Sequence, residues 1–514
     1  MNSIGLLTLI TFSPLLGVLL LAFVPKEKVS TIRFIGVLVT LIPLVLAIYL
    51  FLKFDPNASG MQFVENYKWI QFMVGDNTIE FNYSLSVDGL SMPLVLLAAI
   101  VAAMSALGAA NIIEKREKEY FILFFLMQIG LYGVFVAQNL FLFFIFFELT
   151  LITMFFLVGI WGNEAREDAA FTFLIYNGLG SAIMLVTFIV LLINAGFYEG
   201  PNGPTFTTDI PTIIHNLTSP DSPYAQDGFS NAFKYGVFAA LLVAFGIKVP
   251  LFPFHSWILK VHYQAPATMS MILSGVLLKI GAYGLFRMEY SFFPGIAKDL
   301  ATFLAILGII NLLYGAILAF VQKDFKMVVV YSSISHMGII LLGLAAMNGY
   351  GFQGAIFQMV SHGLLSALFF FIVGLIYKRT HTANMEELGG MAKTMPITSG
   401  LLLTGAMASL GLPGMSGFVS EFLSYLGVFK TMPVLAAIGT LGIVFTSAYL
   451  LRAVLNVTYG PTREKVQGLS DATAIELVPM VVLVAFVILI GVYPAILGDP
   501  IQTTLQSLLS KIGG

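Results

Sequence analysis

The chain contains no cysteine. Without thiolates it cannot offer the ligands that hold an iron–sulfur cluster or a cysteine zinc site, and it cannot close a disulfide. Charge is almost as scarce: Asp, Glu, Lys and Arg are 10% of the 514 residues, against about 25% in a soluble globular chain. The net charge of −2 gives no electrostatic footprint for nucleic acid. A glycine-rich dinucleotide fingerprint and a phosphate-binding loop are both missing. Acids and histidines are scattered, with no HExxH or paired-histidine spacing, so no metal site is expected. If the chain serves a redox machine, no redox cofactor is expected to lie in it.

Apolar residues are abundant. They make up 58% of the chain, with 46 Phe, and the mean hydropathy is +0.93. Such a composition would aggregate in water, which excludes a soluble enzyme and a disordered or collagen-like chain. The expected fold is an all-α polytopic membrane protein, 1–514 forming one membrane domain in the lipid bilayer. At about 20 apolar residues per span, fourteen spans are read. They lie near 4–24, 31–52, 86–110, 121–138, 141–160, 169–193, 235–258, 265–287, 300–320, 327–347, 353–377, 396–427, 434–457 and 475–496. No basic residue precedes the first, and Lys26 and Lys28 follow it, so it reads as a span and not a cleavable signal peptide.

Basic residues set the orientation. Loops opposite the amino terminus hold fifteen, among them Lys115, Arg116, Lys118, Lys323, Lys326, Lys378 and Arg379. Loops on the amino-terminal side hold seven: Lys53, Lys68, Lys234, Arg287, Lys298, Lys430 and Lys511. The richer side is therefore cytoplasmic or matrix-like, and both termini point outward. The two long outward connections, 53–85 and 194–234, read as small surface-covering loops.

The sequence also repeats. Asn177-Gly-Leu-Gly-Ser-Ala-Ile-Met-Leu185 in the sixth span matches His362-Gly-Leu-Leu-Ser-Ala-Leu-Phe-Phe370 in the eleventh at four of nine positions. The next span of each copy is interrupted: Pro250 and Pro253 break the seventh, and Gly411, Pro413, Gly414 and Gly417 break the twelfth. Five spans (121–287) followed by five more (300–457) reverse the second copy in the membrane. That is an inverted repeat, whose broken helices point to the transport site. Three helices (1–112) precede the repeats and one (475–496) follows.

Four charges inside spans stand out: Glu148, Lys248, Lys279 and Glu421. Each costs at least ~2.5–3.5 kcal/mol at the bilayer centre and is a functional candidate for that reason. Glu148 sits in Leu-Phe-Phe-Ile-Phe-Phe-Glu-Leu-Thr and needs a partner on another helix, which Lys248 or Lys279 can supply. Proton affinity follows burial and neighbouring charge, so moving or neutralising Glu148 would switch Lys248 between holding and releasing a proton. The two would titrate as a pair. Histidines extend the series. His336 shares a helix face with Ser332 and Ser333, and Gln358, His362 and Ser366 form one polar stripe. His255 lies two turns beyond Lys248. Neutral imidazole can donate and accept a proton near pH 7. His215 and His381 fall in loops.

Taken together, these motifs resemble a known family. Phe-Glu148-Leu, Phe-Gly-Ile-Lys248-Val-Pro-Leu-Phe-Pro-Phe-His255-Ser-Trp, His262-Tyr-Gln-Ala-Pro266 and Leu-Leu-Lys279-Ile-Gly-Ala-Tyr-Gly look like the antiporter-like subunits of respiratory complex I, the NADH:quinone oxidoreductase. So do Tyr331-Ser-Ser-Ile-Ser-His336-Met-Gly, Ser361-His362-Gly-Leu-Leu-Ser and Val87-Asp-Gly-Leu-Ser91. The resemblance covers about residues 80–460. Glu421 after Leu-Pro-Gly resembles the NuoM, or fourth mitochondrial-style, type. Sister subunits and Mrp-type antiporter subunits tend to carry lysine there. The largest sister adds a long lateral helix, for which nothing after residue 497 is long enough. Leu259-Lys260 stands where many members have Pro-Asp, so no acidic role carries over to that loop.

The resemblance implies a proton-translocating subunit, multi-pass in a bacterial-type inner or cell membrane. Glu148 and Lys248 would form the coupling pair and Lys279 would link to a central hydrated axis. His336 and His362 would relay, and Glu421 would be the terminal carrier. Partners would be other membrane-arm subunits, with NADH, FMN, iron–sulfur clusters and quinone handled by partner subunits. Two rivals stand beside this reading: an Mrp-type cation/proton antiporter subunit, and a membrane subunit of a hydrogenase or carbon-uptake complex.

Overall fold

In hydrocarbon a lone segment satisfies its own backbone groups only as a helix, so long apolar runs dictate long helices. The computed structural model of the chain describes residues 5–58, 60–75, 77–200, 203–219, 222 and 229–512. Among the described residues, thirteen helices are long and apolar enough to cross a membrane. The first half holds α1 (Leu6–Phe23), α2 (Val29–Lys53), α3 (Ser91–Ile112), α4 (Glu117–Val136), α5 (Leu140–Trp161) and α6 (Arg166–Ala195). A short α7 (Ile210–Thr218) then precedes α8 (Asn231–Lys248), α9 (Ser256–Gln264) and α10 (Ala267–Phe292). The second half holds α11 (Pro294–Asp299), α12 (Ala301–Val321), α13 (Phe325–Ala345), α14 (Gly349–Thr380), α15 (Pro396–Ser409), α16 (Ser416–Thr431), α17 (Pro433–Thr458), α18 (Ala474–Val492) and α19 (Ala495–Ile512).

The interrupted runs behave as their prolines and glycines dictate. After Lys248 the chain unwinds through Pro250 and Pro253 and resumes as α9. The stretch expected as one twelfth span is two shorter helices, α15 and α16. Between them Gly411 (φ +76) and Gly414 (φ +90) adopt a left-handed backbone that glycine reaches without a Cβ penalty. The eighth span runs five residues past its expected end at 287. It contains two π-helical stretches, Leu273–Leu277 and Leu285–Glu289, which periodicity did not reveal.

The two long connections are not plain loops. β1 (Gln62–Val74) and β2 (Asn77–Val87) form an antiparallel hairpin; β3 (Phe197–Gly200) and β4 (Gly203–Thr207) form a second. β4 pairs with β2 in parallel, giving one sheet of order β1-β2-β4-β3. The sheet, α7 and α19 share one face of the molecule, called here the hairpin face. Edge strand β1 leaves Trp69 and Met73 exposed.

Burial grades from the centre outward. The apolar windows of α10 and α14 are wholly buried, whereas only a third of those of α1, α2 and α17 is buried. The outer ring shows Phe23, Phe34, Val434 and Val492. α14 and α16 approach very closely: a Cβ on Gly354 would lie 2.3 Å from Ser424 N, and one on Gly427 would lie 2.4 Å from Gly351 N. Two bonds pin the same seam. Ser420 Oγ donates to Gln358 Oε1 (2.5 Å), and the Ser361 and Ser416 hydroxyls meet at 2.7 Å. Gly354→Val is therefore expected to push the helices apart at a cost of about 1–3 kcal/mol. Thermal unfolding in detergent checks this, and an unchanged midpoint would contradict the close approach.

Candidate functional site

Four of the sequence-selected residues meet at the centre, one from each of four helices. Lys279 on α10 is fully buried. Its Nζ donates to Ser274 O (2.5 Å), inside the first π stretch, and lies 2.7 Å from His362 Nδ1 on α14. π-Helical turns recur at functional sites. An ammonium only donates, so His362 Nδ1 accepts and a neutral ring carries its proton on Nε2. The His362 ring stacks on that of His336 from α13, centroids 5.3 Å apart.

His336 Nδ1 lies 2.8 Å from Ser332 O, and a carbonyl only accepts, so Nδ1–H is the donor. That leaves Nε2 to face Ser409 Oγ (3.5 Å) and Glu421 Oε1 (3.7 Å). Tyr449 OH donates to Ser332 Oγ (2.9 Å) and backs the imidazole. Glu421 is buried on α16, and Gly411 in the helix break lies beside its Oε2. The series thus runs Lys279–His362 by a hydrogen bond, His362–His336 by ring stacking and His336–Glu421 by a 3.7 Å approach.

The broken helix carries the Ser409 end of this arrangement, and it is anchored from outside. Asp471 accepts from Ile397 N (2.6 Å), Thr398 N (3.2 Å) and Thr398 Oγ1 (2.6 Å) at the first turn of α15. Burial pushes that carboxyl up, and the Thr398 and backbone donors outweigh it, holding it below the usual carboxylate range.

The other three candidates lie apart from this line. Lys248 ends α8, is 1% exposed, and its Nζ makes no hydrogen bond among the described residues. It rests over the rings of Phe147 (4.7 Å) and Phe173 (5.5 Å). Glu148 follows Phe147 on α5 and makes no hydrogen bond to Lys248 among the described residues. Glu148 is half-buried, and its Oε1 is also unpaired among the described residues. α8 packs along α10: a Cβ on Gly281 would lie 3.0 Å from Lys248 Cβ. His255, at the helix break, bonds Tyr314 OH (2.9 Å) through Nε2 and joins neither group.

Residue-by-residue reading missed a second buried cluster. Arg287, assigned to a loop, is inside α10 and pairs with Asp88 at 2.5 Å. Asp88 Oδ1 also accepts from Leu90 N and Ser91 N. Burial pushes the Asp88 carboxyl up, but Arg287 and these donors outweigh it and hold it below the ordinary value. Glu289, two residues on, is buried with both carboxylate oxygens unpaired among the described residues. The Val87-Asp-Gly-Leu-Ser91 motif was the available signal for Asp88; the π stretch that carries Arg287 inward left none.

Comparison with known proteins agrees over the whole length. Residues 137–446 match the family described as NADH:quinone oxidoreductase/Mrp antiporter, TM, and residues 31–137 match NADH-ubiquinone oxidoreductase chain 4, amino terminus. The chain is 36% identical to NADH-quinone oxidoreductase subunit M of Rhodobacter capsulatus, covering 99% of this chain and 97% of that protein. It is 38% identical to an NAD(P)H-quinone oxidoreductase chain 4 of Synechococcus elongatus, covering 98% and 92%. A chain of respiratory complex I from Thermus thermophilus superposes with a TM-score of 0.84 at 27% identity over 99% of this chain and all of that one. A chain of an archaeal membrane-bound sulfane sulfur reductase does so with a TM-score of 0.82 at 26% identity, over 96% and 77%.

Proposed function

The chain belongs to the NuoM-type, or chain 4, antiporter-like membrane subunits of NADH:quinone oxidoreductase (respiratory complex I), and we propose that in it protons pass along Lys279, His362, His336 and Glu421. It is a multi-pass, proton-translocating subunit of the membrane arm. The observation that carries the route is the contact series itself, in which Lys279 Nζ meets His362, the imidazoles stack, and His336 Nε2 faces Glu421. Buried ionisable groups this close have no stabilising rationale that apolar side chains would not serve as well.

Glu148 and Lys248 act upstream as a coupling pair. A charge arriving beside half-buried Glu148 from a neighbouring subunit changes its hold on Lys248, and the packing of α8 on α10 passes that change toward Lys279. His255 acts at the rim of the helix break and not within the line. Each charge moved against 100 mV costs about 2.3 kcal/mol, which redox chemistry in partner subunits supplies. NADH, FMN, iron–sulfur clusters and quinone belong to those partners, and this chain carries no cofactor of its own.

Residues 121–287 and 300–457 are read as two inverted five-helix units, and the breaks after Lys248 and Ser409 as their matching interruptions; with α15 and α16 counted as one broken span, the spans among the described residues number fourteen. The hairpin face is the outward face of a bacterial-type cell membrane, because it carries fewer basic residues. Lipid covers the outer ring, and another subunit covers the exposed edge of β1, since bare sheet edges invite pairing. Membership of a different respiratory complex has one observation in its favour, the superposition on the sulfane sulfur reductase chain; Glu421 and the relatives named above favour the quinone reductase.

The test replaces Glu421. Glu421→Gln removes a titratable group and is expected to impair NADH-driven proton translocation in membrane vesicles more than Glu421→Lys, which keeps one. Equal loss in both would refute the terminal-carrier role.

A further inference from the structure

We propose that the Asp88–Arg287 ion pair is the seal that separates the Lys279 series from a cavity on the hairpin face. The proposal rests on the proton-translocating reading above. The cavity, of about 530 Å³, is lined by Asp88 and Arg287 together with Gln138, His215, Ser291 and Thr504. It is large enough for many waters, each needing roughly 30 Å³, and its lining offers them partners.

Below the ion pair the same helix leads straight to the transfer site. Lys279 and Tyr283 are four residues apart in the α-helical part of α10 and share a face, and Arg287 follows in the π stretch beyond. Arg287 Nε donates to Tyr283 OH (3.2 Å), and that phenol donates to Phe135 O (3.1 Å). Polar side chains therefore approach Lys279 from this side, and a column of water along them would short-circuit a pump.

The chemistry of the pair identifies it as a barrier and not a relay. Arg287 is a guanidinium, which does not give up its proton in proteins. Asp88 Oδ1 accepts from Arg287 and from the Leu90 and Ser91 amides, which keeps the carboxylate ionised. Neither group is free to pass a proton on, and both side chains are nearly inaccessible (8% and 6%). The loop that holds Asp88 is braced by α19, whose Thr504 Oγ1 accepts from Gly89 N (2.9 Å).

The test measures leak. The intact complex is placed in proteoliposomes, a pH gradient is imposed with the enzyme idle, and its decay per complex is followed with a pH dye. Arg287→Gln is expected to raise idle proton conductance severalfold, and Arg287→Lys, which keeps the positive charge, to leave it near the wild-type value. A merely structural role would lower the yield of complex without changing conductance per complex; wild-type conductance in assembled Arg287→Gln overturns the seal. Should that variant not assemble, Ser291→Cys decides instead, since the chain has no cysteine of its own. A membrane-impermeant thiol reagent is expected to modify it from the hairpin face, and no modification from that face overturns the proposal. Failure of the underlying reading shows elsewhere, as full NADH-driven pumping by Lys279→Ala.

Discussion

Lys279→Ala is expected to lower NADH-driven proton translocation by roughly 100-fold or more, the contribution typical of a positioned proton-transfer group. The side chain links α10 to the histidine line through the 2.7 Å approach to His362 Nδ1. Without it His362 loses its donor, and the series ends at a stacked imidazole with nothing to supply it. Lys279→Arg sharpens the result. Arginine keeps the positive charge and can still donate to Ser274 O, yet it does not release its proton. If Lys279 works by giving up and regaining a proton, arginine fails like alanine. If a fixed charge suffices, arginine restores pumping, and the relay through this residue is wrong. Measuring pumping against the amount of assembled complex separates both outcomes from a folding defect.

Much of this was legible in the sequence because oil makes charge conspicuous. A lysine or glutamate in an apolar run stands out even where a helix-locking ion pair is the plainer reading, so Lys279, Lys248, Glu148 and Glu421 could be singled out without an alignment. Proline and glycine likewise announced the two helix breaks. What could not be read was phase. The π stretches add residues to α10 without changing its composition, and they carry Arg287 from an expected loop into the protein. Adjacency was hidden too. His255 and His362 are equally plausible relays on paper, but their partners, Tyr314 and Lys279, come from residues 59 and 83 positions away. The hairpins escaped because Asn, Asp, Pro and Gly in 53–85 and 194–234 signal turns, whereas β2 and β4 find each other only across the fold.

Lys248→Met should abolish proton translocation while leaving the assembled complex as heat-stable as the wild type. The two halves of this prediction come from one environment. Nζ is buried, forms no hydrogen bond among the described residues, and sits over two aromatic rings. Methionine keeps an unbranched stem in the same slot. It forfeits a desolvated cation–π contact worth about 2 kcal/mol. It also relieves a buried, unpaired donor that costs about 1–3 kcal/mol. The terms offset, so stability should barely move. A lysine whose removal costs the fold so little has no reason to be buried there except its charge. Glu148→Gln tests the other end: it is nearly isosteric, leaves the half-buried position filled, and removes only the field that reaches Lys248. It should therefore depress pumping much as Lys248→Met does. Loss of the complex in Lys248→Met would make the lysine a strut, and full pumping in Glu148→Gln would mean that Lys248 responds to some other charge.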